Sequence, residues 1–346
     1  MRFNCSLPLG GIGVLLAIVV LMLVATAAPA LAQDPGADEQ QAIAAAVEKL
    51  GSDDVMARRD AANKLAAMGA KAAPAALSLG KCCNDFLDNM TPVRVACLRA
   101  IAAIGPAGVA AVPEIVKVLE RDNEYGQDVS VHACALEALG RIGPAAVDAV
   151  PAVVAAIKKG AVASHTAAII CAGEIGEAAA PAVPALREIA ENPINIEHLR
   201  INAINSLGKI GKASGPVVPG LVKIVTDINA SSTLRRPAAS AIGQIGGSAE
   251  AVVAGLSTVL GDHDLILVFY VLRTLGKYGE EAGKATDAIA KTLKHPNARL
   301  REVAAETLGQ IGKAAAGATA ALKEALDDTE PKVKAAAQAA LSKIGG

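Results

Sequence analysis

Aromatic side chains are nearly absent from this chain of 346 residues: there is no Trp, and three Tyr and three Phe make up 2%, beside 53% hydrophobic residues overall. A core without large rings has to be assembled from many small Ala, Val, Ile and Leu contacts, which suits thin stacked elements better than one thick globule. Net charge is missing too, with 33 Lys+Arg against 34 Asp+Glu. That balance excludes a nucleic-acid binder driven by bulk positive charge, and the apolar content excludes a disordered chain. Histidine is scarce, at five residues.

The longest apolar stretch stands at the start. Residues 1–32 carry one charge, Arg2, then an apolar run over residues 12–24, then Ala30-Leu31-Ala32. A basic start, a short apolar run and a small-x-small site read as a secretory signal peptide cut between Ala32 and Gln33. Residues 7–32 are also long enough to span a bilayer, so an uncleaved anchor is the alternative, disfavoured because no Lys/Arg cluster comes after it. Either way the chain is expected to be exported, periplasmic or secreted, with membrane attachment only through this segment. Losing residues 1–32 removes Arg2 alone and leaves 32 basic and 34 acidic residues, a net charge of −2. Residues 33–40 read as a short linker and residues 41–346 as one repeat domain.

Within that domain a five-residue phrase recurs: LAAMG ending at Gly69, IAAIG at Gly105, LGRIG at Gly143, AGEIG at Gly176, LGKIG at Gly211, IGQIG at Gly246, LGKYG at Gly279, LGQIG at Gly312 and LSKIG at Gly345. A period of roughly thirty-four residues marks stacked supersecondary units that cannot bury their apolar faces alone. The closing Gly suits a left-handed helix C-terminus. Pro113, Pro151, Pro184 and Pro219, eight residues after such a Gly, suit helix starts. The fold class is therefore all-α, an α-solenoid of about nine two-helix units. Ten residues after each Gly the chain is apolar throughout, from Leu79 and Ile115 to Leu322, which gives the buried stripe of the first helix. Eight before each Gly stand Ala61, Cys97, Ala135, Ala168, Ala203, Ala238, Val271, Ala304 and Ala337, small enough for close helix approach. Gly140, Gly173, Gly208, Gly243, Gly276 and Gly309, inside the second helix, point to close crossings despite a cost of roughly 1 kcal/mol relative to Ala.

Pairs such as Val93-Arg94, Val131-His132, Leu199-Arg200, Leu234-Arg235, Leu300-Arg301 and Val333-Lys334, each followed by an Ala-rich helix ending in the Gly phrase, resemble HEAT repeats of the short bacterial type, also found in phycobilin lyases and deoxyhypusine hydroxylases. The resemblance covers residues from about 40 to 346. It implies that the basic residues eleven before each Gly, namely Arg58, Arg94, His132, His165, Arg200, Arg235, Arg301 and Lys334, form a structural ladder. Such a ladder bonds carbonyls or acids at the turns of adjacent repeats, with Asp54, Asp128, Asp264 and Glu330 placed as acceptors. Anion binding by the row is the alternative.

No reactive constellation emerges. The hydroxylases hold iron with His-Glu pairs, and the sequence has no His-Glu dipeptide; Glu197-His198 is the reverse. His132 and His165 share a register but lack a third ligand at a defined spacing. Cys82, Cys83, Cys97, Cys134 and Cys171 read mainly as small buried hydrophobes, with a disulfide such as Cys83–Cys97 as the alternative. No phosphate loop, metal helix or nucleophile elbow appears, and Gly246-Gly247 is turn material. No cofactor, metal, small-molecule substrate or nucleic acid is expected.

The outward face of the second helix, at 13, 9, 6 and 2 before each Gly, is the expected partner surface. It runs from Met56, Asp60 and Asn63 through an Ala-rich stretch to His198, Asn202, Asn205 and Lys209, and on to Ile266, Tyr270, Arg273, Lys277, Arg299 and Val303. Eight Lys/Arg against four acids make it mildly basic. Unit seven replaces the ladder residue with Val268 and gathers Phe269, Tyr270 and Tyr278, where Tyr beside Arg suits a protein contact; the alternative is a locally wider core. The expected function is an exported, non-catalytic scaffold or adaptor binding a protein or peptide at Ile266, Tyr270, Arg273, Lys277, His198, Asn202, Lys209 and Arg299. Alternatives are a structural envelope component held by an uncleaved signal and, third, an enzyme or a bilin- or metal-binding relative.

Overall fold

A computed structural model describes residues 35–84, 91–125, 128–160 and 162–345. The expected signal peptide and its cleavage point at Ala32 and Gln33 lie outside the described residues. These residues form eighteen α-helices with no β-strand among them. In chain order they are α1 (Pro35–Leu50), α2 (Val55–Met68), α3 (Ala76–Cys83), α4 (Thr91–Ile104), α5 (Val112–Tyr125), α6 (Val129–Ile142), α7 (Val150–Lys159), α8 (Val162–Ile175) and α9 (Val183–Glu191). Next come α10 (Glu197–Ile210), α11 (Val218–Thr226), α12 (Ser232–Ile245), α13 (Ala249–Ser257), α14 (Leu265–Lys277), α15 (Thr286–Thr292), α16 (Ala298–Ile311), α17 (Thr319–Glu324) and α18 (Pro331–Gly345). Helix α1 starts at Pro35, so residues 35–40, expected as linker, are helical; Ala- and Gln-rich sequence propagates a helix readily. The chain divides into two units, residues 1–45 and 46–346, and the second holds the stacked repeats.

Odd-numbered helices are the first of each repeat and even-numbered ones the second. The prolines do what their fixed backbone angle suits them for: Pro151, Pro184 and Pro219 sit in the first turns of α7, α9 and α11. Each second helix from α2 to α16 ends within two residues of a Gly with positive φ, such as Gly143 at φ 71° and ψ −138°. The positive φ was expected, but the ψ lies outside the left-handed helical well, in the mirror-image extended region that only Gly enters without a clash. At most of these glycines the chain turns at once into a seven-residue 3-10 segment, as at Gly143–Ala149. At Gly246 this segment is missing, and Gly246 and Gly247, both at positive φ, lead straight to α13.

Register sets the core. All eight apolar residues ten positions after a Gly, from Leu79 to Leu322, are fully buried, and so are the small residues eight positions before it. Second helices pack along one another more extensively than first helices do, which puts the second-helix row on the inner side of the stack within residues 46–346. The crossings are as close as the glycines imply: a Cβ on Gly173 would lie 2.7 Å from Ser206 Oγ and 2.9 Å from Ser206 Cα, and one on Gly309 3.0 Å from Ala340 Cα. Hydroxyls at this contact reach across repeats, Ser206 Oγ donating to the Ile169 carbonyl and Thr274 Oγ1 to that of Ala239, both at 2.8 Å. Residues Thr91–Arg121, Val129–Lys159 and Ser164–Glu191 are long and apolar enough to cross a membrane. Each is a second helix, a 3-10 segment and a first helix run together, and about half of each apolar window is buried in the stack (50%, 44% and 50%).

Candidate functional site

The basic ladder binds the ends of its own first helices. Arg94 Nε donates to the Cys83 carbonyl at 2.9 Å, Arg200 Nε to that of Ala190 at 3.0 Å and Arg235 Nε to that of Val225 at 2.9 Å. His165 takes the equivalent Ile157 carbonyl, and burial lowers its pKa against that bond. These carbonyls have no acceptor role inside the helix, and a cation at a helix C-terminus also meets the negative end of the dipole. Arg58 Nη1 donates to the Ser52 carbonyl at 2.9 Å. His132 is buried, whereas Lys334 is exposed. The link to adjacent repeats runs through other acids than those expected: Arg235 Nη2 reaches Asp262 at 2.7 Å, and Arg301 grips Asp328 with two bonds at 2.7 and 2.8 Å.

Asp54, Asp128 and Asp264 do not serve the ladder. Each caps a second helix, accepting backbone N–H groups two or three residues on, as Asp264 does from Ile266 and Leu267. A carboxylate at this register lies next to unpaired N–H groups at the helix start, and those local donors win. Asp264 also takes two bonds from Arg236, at 2.8 and 2.9 Å. Burial works to raise its pKa, but Arg236 and the Leu267 N–H overcome it and hold the carboxyl at about 2. Glu330 contributes its backbone carbonyl, to the N–H groups of Val333 and Lys334.

The outward positions of the second helices are exposed at 13, 6 and 2 before the Gly in nearly every described unit. The position nine before it varies: Ala96 and Val303 are buried and Asn202 is half-buried, whereas Asp60 and Tyr270 are exposed. It stands one helical turn from the residue five before the Gly, which faces the neighbouring second helix. His198 Nε2 and Asn202 Nδ2 lie 3.0 Å apart. Lys209 pairs with Glu174 at 2.6 Å, Arg299 with Glu302 at 2.7 Å and Arg273 with Glu306 at 3.6 Å, while Lys277 Nζ donates to the Gly243 carbonyl at 3.0 Å. Part of the basic excess is thus neutralised in place.

One neighbourhood on this face brings several candidate residues together. Ile266 is 50% exposed and Tyr270 36%. The Phe269 and Tyr270 rings meet edge to face, 5.9 Å between centroids. The guanidinium carbons of Arg273 and Arg299 lie 6.0 and 5.7 Å from the Phe269 centroid, within cation–π range. Ile266, Phe269, Tyr270 and Arg299 line a groove of about 320 Å³ between α14 and α16. Tyr278 stands at the far end of α14, half-buried, its pKa raised by burial and then by Glu281. His198, Asn202 and Lys209 belong to α10 and do not join this cluster.

A larger groove was not foreseen from the sequence. Between α6 and α8 a space of about 630 Å³ is lined by Ala133, Leu136, Ala167, Ile170 and the charged Glu137, Arg141 and Glu174. Its signal was the run of Ala at outward positions, where small side chains lower the floor between larger flanks.

Among the described residues no group of three or more His, Cys, Asp or Glu side chains is placed to hold a metal ion. The five described cysteines are free thiols. Cys97 lies within hydrogen-bonding reach of Cys82, which lowers its pKa, and of Cys83, which with burial raises it well above the ordinary thiol value. Such thiols stay protonated and poorly nucleophilic.

Comparison with known proteins agrees with this architecture. Residues 269–342 match the family model for HEAT repeats. Importin beta superposes with a TM-score of 0.55 at 17% identity, over 89% of this chain and 44% of its own length. A karyopherin bound to the extreme C-terminus of a protein phosphatase gives 0.50 at 14% identity, over 88% and 38%. The chain thus spans less than half the length of these two solenoids, and at such identity the likeness is one of fold. No curated protein matches the sequence.

Proposed function

We propose that the chain is an exported, non-catalytic scaffold or adaptor that binds a protein or peptide along the exposed face of its second helices, centred on α14 and α16. The observation that carries this reading is the cluster of exposed Ile266 and Tyr270 beside Phe269, with Arg273 and Arg299 over the ring. Aromatic and Arg side chains at a groove supply most of the energy of protein contacts, and in a molecule with so few rings this grouping stands out. The same fold, in a karyopherin, is bound to the end of another protein. Export rests on the composition of residues 1–32.

The test is to replace Tyr270 and Arg273 together with Ala and compare what the full chain captures from its own cell extract. The expected result is loss of at least one captured partner by tenfold or more, since two such anchors contribute roughly 2 kcal/mol or more each, with an unchanged circular dichroism spectrum. An identical set of partners would sink the α14–α16 reading. N-terminal sequencing of the native protein is expected to begin at Gln33; a chain beginning at Met1 and found with membranes would favour the anchored envelope component.

A further inference from the structure

Three of the five described cysteines stand in one repeat, Cys82 and Cys83 at the end of α3 and Cys97 in α4. In other repeats the same registers hold plain hydrocarbon: Val118 and Ile189 for Cys82, Leu119 and Ile157 for Cys83, Ala135 and Ala168 for Cys97. Packing at these positions asks only for volume, so sulfur at all three is a departure that the repeat does not require.

The ladder holds the three thiols together. Arg94 Nε ties the Cys83 carbonyl, at the end of α3, to α4 at 2.9 Å, and Cys83 Sγ in turn donates to the Arg94 carbonyl at 3.9 Å. Cys97 comes three residues after Arg94 and therefore lies on the same side of α4. It is within hydrogen-bonding reach of both Cys82 and Cys83. Sulfurs this close need only side-chain rotation to approach the ~2 Å of a disulfide. Access tells them apart. Cys83 and Cys97 are fully buried, whereas Cys82 keeps 8% of its surface, and its Sγ donates outward from the cluster to the Leu50 carbonyl at 3.9 Å.

We infer that Cys82 and Cys97 are a redox pair, joined by a disulfide when the chain meets a low-molecular-weight disulfide, with Cys82 as the entry thiol. The Cys82 thiolate attacks one sulfur of the external disulfide RSSR, which forms Cys82–S–SR and releases RS⁻. The Cys97 thiol then gives up its proton and attacks the Cys82 sulfur, expelling the second RS⁻. Both cysteine protons end on two RSH, and RSSR is the sole oxidant. Burial keeps Cys97 protonated and away from RSSR itself, but its attack inside the chain needs no access, only the proximity already present. The bond closes a loop of roughly fifteen residues and staples α3 to α4. This inference depends neither on the α14–α16 site nor on export.

Incubating the full chain with glutathione disulfide, blocking the remaining thiols and mapping tryptic peptides without reduction tests it. Cleavage after Lys81, Arg94 and Arg99 releases peptides 82–94 and 95–99. The expected product is these two joined with loss of two hydrogens, together with a Tm above that of the reduced chain, which dithiothreitol reverses. Both changes are expected to vanish in Cys82→Ala, which keeps Cys83 and Cys97, and to persist in Cys83→Ala and in Cys134→Ser. The proposal is overturned by peptides that stay separate, by a glutathione adduct that remains on Cys82, by a cross-link between two chains, or by a joined product that forms equally in Cys82→Ala.

Discussion

Arg235 and Lys284 show how differently two charged residues can matter in the same stack. Arg235 is 6% exposed and bonds the Val225 carbonyl and Asp262, whereas Lys284 and its partner Glu250 are 82% and 85% exposed at 3.7 Å. Removing the first leaves a buried carbonyl and a carboxylate unsatisfied, while removing the second breaks a solvated pair. Arg235→Ala is therefore expected to cost about 1–3 kcal/mol in urea unfolding, and Lys284→Ala no more than a few tenths. Asp264 sets a pH dependence. Its folded pKa of about 2 lies below the ordinary 3.8, so its contribution is fully present above about pH 4 and is lost as pH falls toward 2. Thermal melts of wild type and Asp264→Asn should differ at neutral pH and converge in that acid window; a constant gap down to pH 2 would contradict the assignment. The sequence could place Arg235 and Asp264 at fixed registers, but not choose their partners, because several acids lie within reach of each guanidinium and only the turn geometry selects among them.

Helix crossings separate two glycines that look identical in sequence. Gly140 and Gly173 both stand three residues before a closing Gly. A Cβ on Gly140 would meet its nearest neighbour, Cys171 Cα, at 3.5 Å, an ordinary contact, whereas one on Gly173 would collide with Ser206 at 2.7 Å. Gly140→Ala is thus expected to stabilise by up to about 1 kcal/mol through helix propensity, and Gly173→Ala to destabilise by roughly 1–3 kcal/mol through overpacking, both measured by chemical unfolding. The helices themselves were legible: prolines, closing glycines and the buried stripe gave nine pairs at the observed places. The 3-10 segment after each Gly was not, because Ala- and Gly-rich sequence is compatible with α, 3-10 or turn, and only the packing of one link on the next decides. Val303 makes the same point, since a position expected on the outward face is buried when the next helix approaches closely enough.

For residues 46–346 taken together, stability comes from units that each touch only their neighbours, so a whole unit should be dispensable where half a unit is not. Deleting residues 212–246 joins Gly211 to Gly247 and sets Gly208 against Thr274, the contact Gly243 makes now. The shortened chain is expected to keep about eight ninths of the helical circular dichroism signal and a cooperative melt. Deleting 212–228 instead removes one first helix, exposes a buried stripe and should give an aggregating or partly unfolded product. If both deletions behave alike, the nearest-neighbour description is wrong. Period, helix order, buried registers and the small residues at the crossings come from the sequence alone, because each is a local preference repeated nine times and repetition makes it unambiguous. What needed the tertiary structure were matters of neighbourhood: which carbonyl or carboxylate each ladder residue takes, that Phe269 lies beneath two guanidiniums from different repeats, and that Cys97 reaches Cys82 as well as Cys83. Most of these are meetings across a turn or a repeat boundary, as of Arg235 with the Val225 carbonyl and with Asp262, and groups so separated leave no pattern in a sequence until the chain is folded.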